Sequence, residues 1–333
     1  MDSAEGPRRP VAPAAALALT LSLTLSGSAA AAWFGSFEAS GLYDDNLSRA
    51  ELSSDVESDT SISVSFQGGR AWELENGRGV SLTGSASYTS FDEFSGMDNA
   101  ALGLSLGWRK KFGLGPTAPT VRLSAGAEWR DYDADVRDGL FYVAAVGWDR
   151  RIGERWTLEA ALSYDVLRAD ETRLASPGGS GGPGPGPGPG PGPGPGPGPG
   201  PGPGPGPGPG SQVPGDTFDQ ERLNFEIAGE AALGGPWLMT VGYIFRDGDV
   251  ASTAVPNDRI VATAQAITDD PVFGPNRFAY RLGARVHTLT LDFNRAVGEA
   301  SSLVFGLEHQ RTDADGGIDY ERNRLRLAWL HSF

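Results

Sequence analysis

The 333-residue chain contains no cysteine, only three histidines, and fewer basic than acidic residues. Without cysteine, the protein has no disulfide framework, no thiolate zinc site and no cysteine nucleophile. Its 27 Lys and Arg against 42 Asp and Glu give a net charge of −15. This balance argues against nucleic acid, whose phosphates attract basic surfaces. We therefore expect no nucleic-acid partner. We also expect no cofactor.

Long apolar runs are equally scarce, and the one that stands out lies near the N-terminus. This run, at 14–25, follows two arginines and precedes small residues at 28–32. It is shorter than a membrane-spanning helix, which needs about 20 apolar residues. A basic start, a short apolar stretch and small residues are instead typical of a cleavable secretory signal. We predict a signal peptide at 1–32, cleaved within 30–32, and export through the Sec-type pathway.

The rest of the chain is rich in segments in which apolar and polar residues alternate. In one of them, Val80, Leu82 and Tyr88 share a face, while serines and a threonine occupy the other. Strict alternation predicts half-buried strands rather than helices. The twelve predicted strands cover 33–43, 59–70, 79–91, 99–111, 120–131, 140–150, 156–168, 221–233, 237–247, 281–297, 301–312 and 319–333.

The connections between the predicted strands alternate in length. Five of them are short, and the six between these include every long one and hold most of the aspartates. Short turns at one end, long loops at the other and an even strand number are typical of outer-membrane barrels. We therefore predict that 33–333 forms an all-β, antiparallel, up-and-down transmembrane β-barrel of about 12 strands, with both termini in the periplasm.

One predicted external loop, at 169–218, contains fourteen consecutive Pro-Gly pairs at 183–210. Proline lacks a backbone N–H and glycine adds chain entropy, so this tract forms neither a strand ladder nor a helix. We expect the tract to be a disordered surface segment.

Tryptophan is sorted to one end of the predicted barrel. Seven of the eight tryptophans lie at strand ends beside the short turns or the termini, as expected for an aromatic belt at a membrane interface. A secreted β-sandwich is the competing interpretation, but it would bury its apolar face and would not require this sorting. The seven are Trp33, Trp72, Trp108, Trp148, Trp156, Trp237 and Trp329.

The last predicted strand ends in an alternating apolar series. Leu325, Leu327, Trp329 and Phe333 alternate back from the terminal residue. The series resembles the assembly signal that the barrel-insertion machinery of Gram-negative bacteria recognises. This resemblance implies that the machinery, together with outer-membrane lipid and lipopolysaccharide, is a partner of the chain, which we take to be a monomer.

Two short motifs carry a family resemblance. Gly-Leu-Tyr-Asp-Asp-Asn at 41–46 and Tyr-Glu-Arg-Asn-Arg-Leu at 320–325 resemble the first and last hairpins of poorly characterised porins. They are also similar to the barrel of surface-lipoprotein assembly modifiers. The resemblance implies an outer-membrane channel, with an assembly or translocation role as an alternative.

Charged residues on the predicted inward face indicate two possible functions. They line a water-filled pore, as in diffusion channels, or they pair across the closed lumen of a structural or adhesive barrel. Small inward side chains favour a porin-like channel for passive passage of small hydrophilic solutes. The predicted lumen-lining charges are Arg109, Arg122, Arg130, Glu159, Glu226, Glu230, Asp292, Glu308, Arg322, Arg324 and Arg326.

Two further motifs contain residue types that are found in catalytic or metal-binding sites. Gly-Leu-Ser-Leu-Gly at 103–107 matches the nucleophile-elbow pattern, but that chemistry needs a strand-to-helix turn and this motif lies within a predicted strand. We therefore predict no enzyme. Asp313, Asp315 and Asp319 offer hard oxygen ligands without the spacing of a calcium loop. A solvated acidic surface and weak binding of divalent ions beside lipopolysaccharide are both consistent with them.

Overall fold

A computed structural model describes residues 32–170 and 216–333. The predicted signal peptide and the Pro-Gly tract lie outside the described residues. Among the residues that are described, no helix is long and apolar enough to cross a membrane.

Within these residues, thirteen strands and one short α-helix are joined by turns. They are β1 (Ala32–Asp44), β2 (Asp59–Leu74), β3 (Arg78–Phe91), β4 (Asn99–Lys111), β5 (Thr120–Tyr132), β6 (Gly139–Ile152), β7 (Trp156–Ala169), β8 (Gln220–Gly234), β9 (Trp237–Ala254), α1 (Asp258–Thr263), β10 (Ala266–Asp269), β11 (Phe278–Ala296), β12 (Ser301–Ala314) and β13 (Ile318–Ser332).

All the long strands join one closed antiparallel sheet. Strands β1 to β9 pair in chain order, β9 pairs with β11, and β11 to β13 follow in order. Pairing between β13 and β1 closes the ring. The predicted twelve-stranded up-and-down barrel is thus confirmed. We call one end of the barrel the short-turn end, and the first residue of β1 and the last of β13 lie there. We call the opposite end the long-loop end, which carries the loops 45–58, 92–98, 133–138 and 255–277.

The outward face of the barrel is apolar and exposed. Leu102, Leu104 and Leu106 of β4 have exposed fractions of 51%, 59% and 56%. A continuous apolar band around a whole protein is unfavourable in water. In a bilayer, the hydrocarbon of the lipids surrounds such a band. Other strands contribute to it Ile62, Phe66, Leu123, Leu162, Phe225, Val241, Leu289, Phe305, Leu325 and Leu327.

The stretch between β9 and β11 contains elements that were not predicted, since the predicted strands cover only 237–247 and 281–297. Strand β9 continues through Ala254, and α1 and β10 follow it. Strand β10 pairs with β11 beyond the end of β12. The reason is an apolar cluster inside the long-loop end, where Ile260 of α1 and Ile267 of β10 pack with Leu282 and Val286. A four-residue strand is too short to show alternation in the sequence.

The seam of the barrel is fastened by its last residue. Gly35 of β1 and Phe333 exchange two backbone hydrogen bonds of 3.0 Å. The ring of Phe333 stacks on Phe66, with centroids 5.8 Å apart, and covers Gly35 so closely that a methyl group there would overlap the ring. Glycine at position 35 therefore allows the terminal aromatic residue to close the seam.

Candidate functional site

The lumen is the candidate functional site, and its short-turn half is open and lined by small side chains. A cavity of about 330 Å³ lies there, against the inner wall formed by β2 to β8. Small inward residues leave this space because strand alternation places them opposite the outward apolar residues. The small lining residues are Ser81, Thr83, Ser105, Gly107, Ser124, Gly126, Ala145, Gly147 and Ala161.

Several predicted lumen charges lie in this half. Arg122 lies 3.2 Å from Asp149 and 3.3 Å from Glu159, and Arg109 pairs with Glu73 near the short-turn end. These pairs are one-quarter to two-fifths exposed, so they are solvated and contribute little to stability.

Three predicted acidic residues of the lumen have no ion-pair partner within 32–170 and 216–333. Glu226 and Glu230 of β8 and Asp292 of β11 are half-buried, and no cation of the described residues lies within 4.0 Å of their carboxylates. The short-turn half of the lumen therefore carries an excess of negative charge.

In the long-loop half, the predicted arginines of β13 are paired. Arg322 donates through Nε to both carboxylate oxygens of Asp44 at 2.9 Å, and both residues are buried. The Nε of Arg324 donates to Glu308 at 2.9 Å.

Two further predicted arginines are also paired with carboxylates. Arg326 binds Glu38 across the seam. Arg130 binds Glu128 at 2.7 Å and places its guanidinium 4.3 Å from the ring centroid of Phe141.

The loop 45–58 enters the mouth of the barrel from β1. Its Ser48 carbonyl accepts a hydrogen bond of 2.8 Å from the Thr253 N–H, and Arg49 donates to the Ala251 carbonyl at 3.3 Å. Both partners belong to β9, four positions from β1 around the ring. Asn46 holds the turn, since its side-chain oxygen accepts from Ala50 N–H at 3.0 Å. The loop thus crosses the lumen.

The segment 255–277 covers the mouth from the other side. Asp270 is fully buried, pairs with Arg137 of the 133–138 loop, and accepts a hydrogen bond of 2.6 Å from the Thr253 hydroxyl. Arg277 bonds to Asp55 at 2.8 Å. The segments 45–58 and 255–277 are therefore tied to each other, and we call them together the cap.

Sequence reasoning missed three arginines that the structure brings together beneath the cap. Arg49, Arg222 and Arg246 line a second cavity of about 160 Å³ with Arg322 and Arg324. Arg222 and Arg246 alternate with outward apolar residues, so the strand period could have placed them inside. Arg49 lies in a loop, where no period exists.

The remaining predicted residues lie on the outside or at the rim. Leu325, Leu327 and Trp329 are exposed in the outward band, and Asp313 pairs with Arg311 at 3.2 Å on the outer surface. Within the residues that the structure describes, no group of three or more His, Asp or Glu side chains is placed to hold a metal ion.

No protein-family model and no curated protein sequence matches the chain. Among solved structures, an outer-membrane channel from Pseudomonas putida F1 matches over 93% of this chain and 97% of that one, with 10% identity and a TM-score of 0.53. The outer-membrane channel DcaP of Acinetobacter baumannii matches over 93% and 100%, with 9% identity and a TM-score of 0.41. The anion-selective porin from Comamonas acidovorans matches over 92% and 100%, with 8% identity and a TM-score of 0.37. The likeness to the Pseudomonas channel shows that this chain has the fold of an outer-membrane β-barrel.

Proposed function

We propose that the protein is an outer-membrane channel for passive passage of small hydrophilic solutes. The observation that carries the proposal is the combination of an exposed apolar outer band with a cavity of about 330 Å³ inside a closed twelve-stranded barrel. Such a cavity, lined by serine, threonine, glycine and alanine, accommodates water and small polar solutes without binding them tightly.

A second candidate function is a structural or adhesive surface barrel with a closed lumen. The cap favours it, because 45–58 and 255–277 meet across the mouth and are joined by the ion pair between Arg277 and Asp55. The paired arginines of β13 favour it too. The two functions differ in one measurable respect, which is whether ions cross the inserted protein.

Conductance across a planar bilayer tests the proposal. The mature protein is refolded in detergent, its folding is verified by the heat-dependent shift in gel mobility, and it is added to a bilayer in potassium chloride. We expect discrete current steps that grow linearly with salt concentration. Folded and inserted protein that carries no current would contradict the channel and favour the structural barrel.

We further propose that the chain is exported through the Sec-type pathway and that the long-loop end faces the outside. The supporting features are the N-terminal signal pattern and the position of the Trp belt at the short-turn end. External protease tests the orientation. We expect cleavage within 169–218 in intact cells, and cleavage only after permeabilisation would reverse the orientation.

Insertion by the barrel-insertion machinery is a related proposal, supported by the terminal Leu325, Leu327, Trp329 and Phe333 series. Deletion of Phe333 is expected to lower the amount of barrel in the outer membrane. Because Phe333 also fastens the seam to Gly35, the same variant is refolded in detergent without the machinery. Loss in cells with normal refolding supports recognition, whereas equal loss in both identifies a purely structural role.

A further inference from the structure

The cavity beneath the cap is surrounded by an unusual number of guanidinium groups. Five arginines line a space of about 160 Å³, namely Arg49, Arg222, Arg246, Arg322 and Arg324. Three of them are each bound by one carboxylate, from Asp165, Asp44 and Glu308. The five arginines and these three carboxylates leave two positive charges at the cavity.

The two uncompensated charges belong to Arg49 and Arg246. The Nη1 of Arg49 donates to a backbone carbonyl at 3.3 Å, and the Nε of Arg246 donates to the side-chain oxygen of Asn224 at 2.8 Å. Among the described residues, no carboxylate lies within 4.0 Å of either group. A guanidinium has five N–H donors, so most of the donors of this pair are available to a bound group.

Burial and the neighbouring charge of Arg322 lower the pKa of Arg49 to about 10, so this side chain remains charged at neutral pH. Both arginines are partly buried, and an uncompensated charge that is partly removed from water is costly to a fold. An anion in the cavity would reduce that cost, because it would supply the negative charge that the described residues do not place within 4.0 Å of Arg49 or Arg246.

Tyr320 gives an independent indication of a missing partner. It is 5% exposed, it lines the same cavity, and its hydroxyl has no hydrogen-bond partner among the described residues. Buried polar atoms are almost always hydrogen-bonded. Gln220, Thr288 and Gln310 complete a wall of polar groups. The hydroxyl of Tyr320 is therefore available to donate to a ligand in the cavity.

We propose that this cavity is a binding site for a small oxyanion, a carboxylate or a phosphate, held by Arg49 and Arg246 with the Tyr320 hydroxyl as an additional donor. The planar guanidinium matches the two oxygens of such groups. A cavity needs about 10–15 Å³ to hold one water. The cavity of about 160 Å³ therefore has room for a small oxyanion and several waters. The inference rests on the proposed channel function, since it makes the transported solutes anionic.

Equilibrium binding tests the site without requiring conduction. Sodium phosphate and sodium succinate are titrated separately, at constant ionic strength, onto the refolded mature protein in an isothermal calorimeter. We expect saturable binding of at least one of them to the natural protein. Binding of both indicates a general oxyanion site, and binding of one identifies which oxyanion the cavity prefers.

The decisive variant is Arg49→Gln combined with Arg246→Gln. Neither arginine holds a carboxylate, so the double variant leaves no carboxylate unpaired and is expected to refold normally. We expect its affinity for the oxyanion to fall by at least about tenfold, because two charge-assisted contacts are lost. The control is Arg285→Gln combined with Arg311→Gln, which changes the net charge equally at side chains that are 73% and 59% exposed. Its affinity should be unchanged.

Two results would overturn the inference: no saturable binding of either anion by the natural protein, or equal affinity in the natural protein and the cavity double variant. A second variant, Tyr320→Phe, should weaken binding by a smaller factor without affecting the fold. The bilayer measurement keeps the two proposals separate. Oxyanion binding without current removes the channel and leaves the site, whereas current without oxyanion binding removes the site and leaves the channel.

Discussion

The two halves of the lumen are built on the same twelve strands and yet differ in almost every physical respect. The short-turn half is lined by small side chains, is open, and carries carboxylates, such as Glu226 and Glu230, that have no ion-pair partner among the described residues. The long-loop half contains arginines, an apolar cluster around Leu282 and a cap tied down by Asp270. The outward face is apolar in both halves, because hydrocarbon imposes one requirement on the membrane-facing part of each. The inward face has no such constraint, and the differences that serve function are found there.

The comparison also separates two kinds of ion pair. Arg322 and Asp44 in the long-loop half have side chains that are 8% and 4% exposed, whereas Arg109 and Glu73 in the short-turn half are 41% and 42% exposed. A solvated pair contributes about 0–1 kcal/mol, while removing one partner of a buried pair costs about 3–5 kcal/mol. Substitutions in the long-loop half are therefore expected to have the larger effects.

The largest expected effect comes from Asp270→Ala. This substitution leaves Arg137 without its carboxylate, 4.5 Å from the ring centroid of Phe218, and the loss of a buried partner costs about 3–5 kcal/mol. We expect the cap to detach while the barrel remains folded. Current through the barrel should rise, and protease should cut within 255–277. Asp258→Ala, at an exposed carboxylate of the same segment, is the control. If Asp270→Ala carries the same current as the natural protein and resists protease equally well, the cap does not restrict the mouth.

Filling the short-turn half should have the next largest effect. Gly147 faces the cavity, and nothing crowds the position of a Cβ there more closely than 3.9 Å. We expect Gly147→Trp to lower single-channel conductance by about half or more, because the side chain occupies the water-filled section. Gly229→Trp, on the outward face with no atom within 4 Å of a Cβ, is the matched control. A conductance that is equal in both variants would place the ion path outside this cavity.

A smaller effect is expected when the carboxylates of the short-turn half are neutralised. Glu226→Gln combined with Glu230→Gln removes two negative charges that have no cationic partner among the described residues. We expect the ratio of anion to cation permeability to increase about twofold, since wall charges attract their counter-ions. The measurement is the reversal potential in a potassium chloride gradient. An unchanged potential would mean that permeating ions do not pass these side chains.

The smallest effect is expected at the rim. Partial desolvation and the carboxylates of Asp98 and Asp131 raise the pKa of Asp133 above its ordinary value of 3.8. The folded state therefore keeps this proton to a higher pH than the unfolded chain does, and stability declines as pH rises from about 3.8 through the raised pKa. Asp133→Asn removes this decline.

Because Asp133 is exposed, solvent screens much of the repulsion. We expect the variant to melt about 1–2 °C above the natural protein at pH 7 and at the same temperature at pH 3. Thermal unfolding followed by circular dichroism measures this difference. A variant that melts lower at pH 7 would mean that the Asp133 carboxylate stabilises the rim.

The parts of this molecule that could be predicted from sequence are those governed by a local period. Alternation predicts the twelve long strands, and the cost of turning Arg322, Arg324 and Arg326 toward hydrocarbon predicts their inward direction. Strand alternation also places Arg222 and Arg246 on the inward face, so their position could have been predicted in the same way. The cap obeys no local period, because its contacts join residues that are far apart in the chain. The hydrogen bond from Arg49 to Ala251 spans 202 residues, and no pattern within either segment indicates the other.

That separation has a consequence for how the protein is made. The 45–58 loop belongs to the first hairpin, but several of its partners lie on β9 and just before β11, and Arg277 and Asp55 are 222 residues apart. Contacts between distant parts of a chain form slowly, because the intervening chain must first be ordered. We therefore expect the loop to dock only after β9 and β11 have joined the sheet, so that the cap and the arginine cavity beneath it form late in folding.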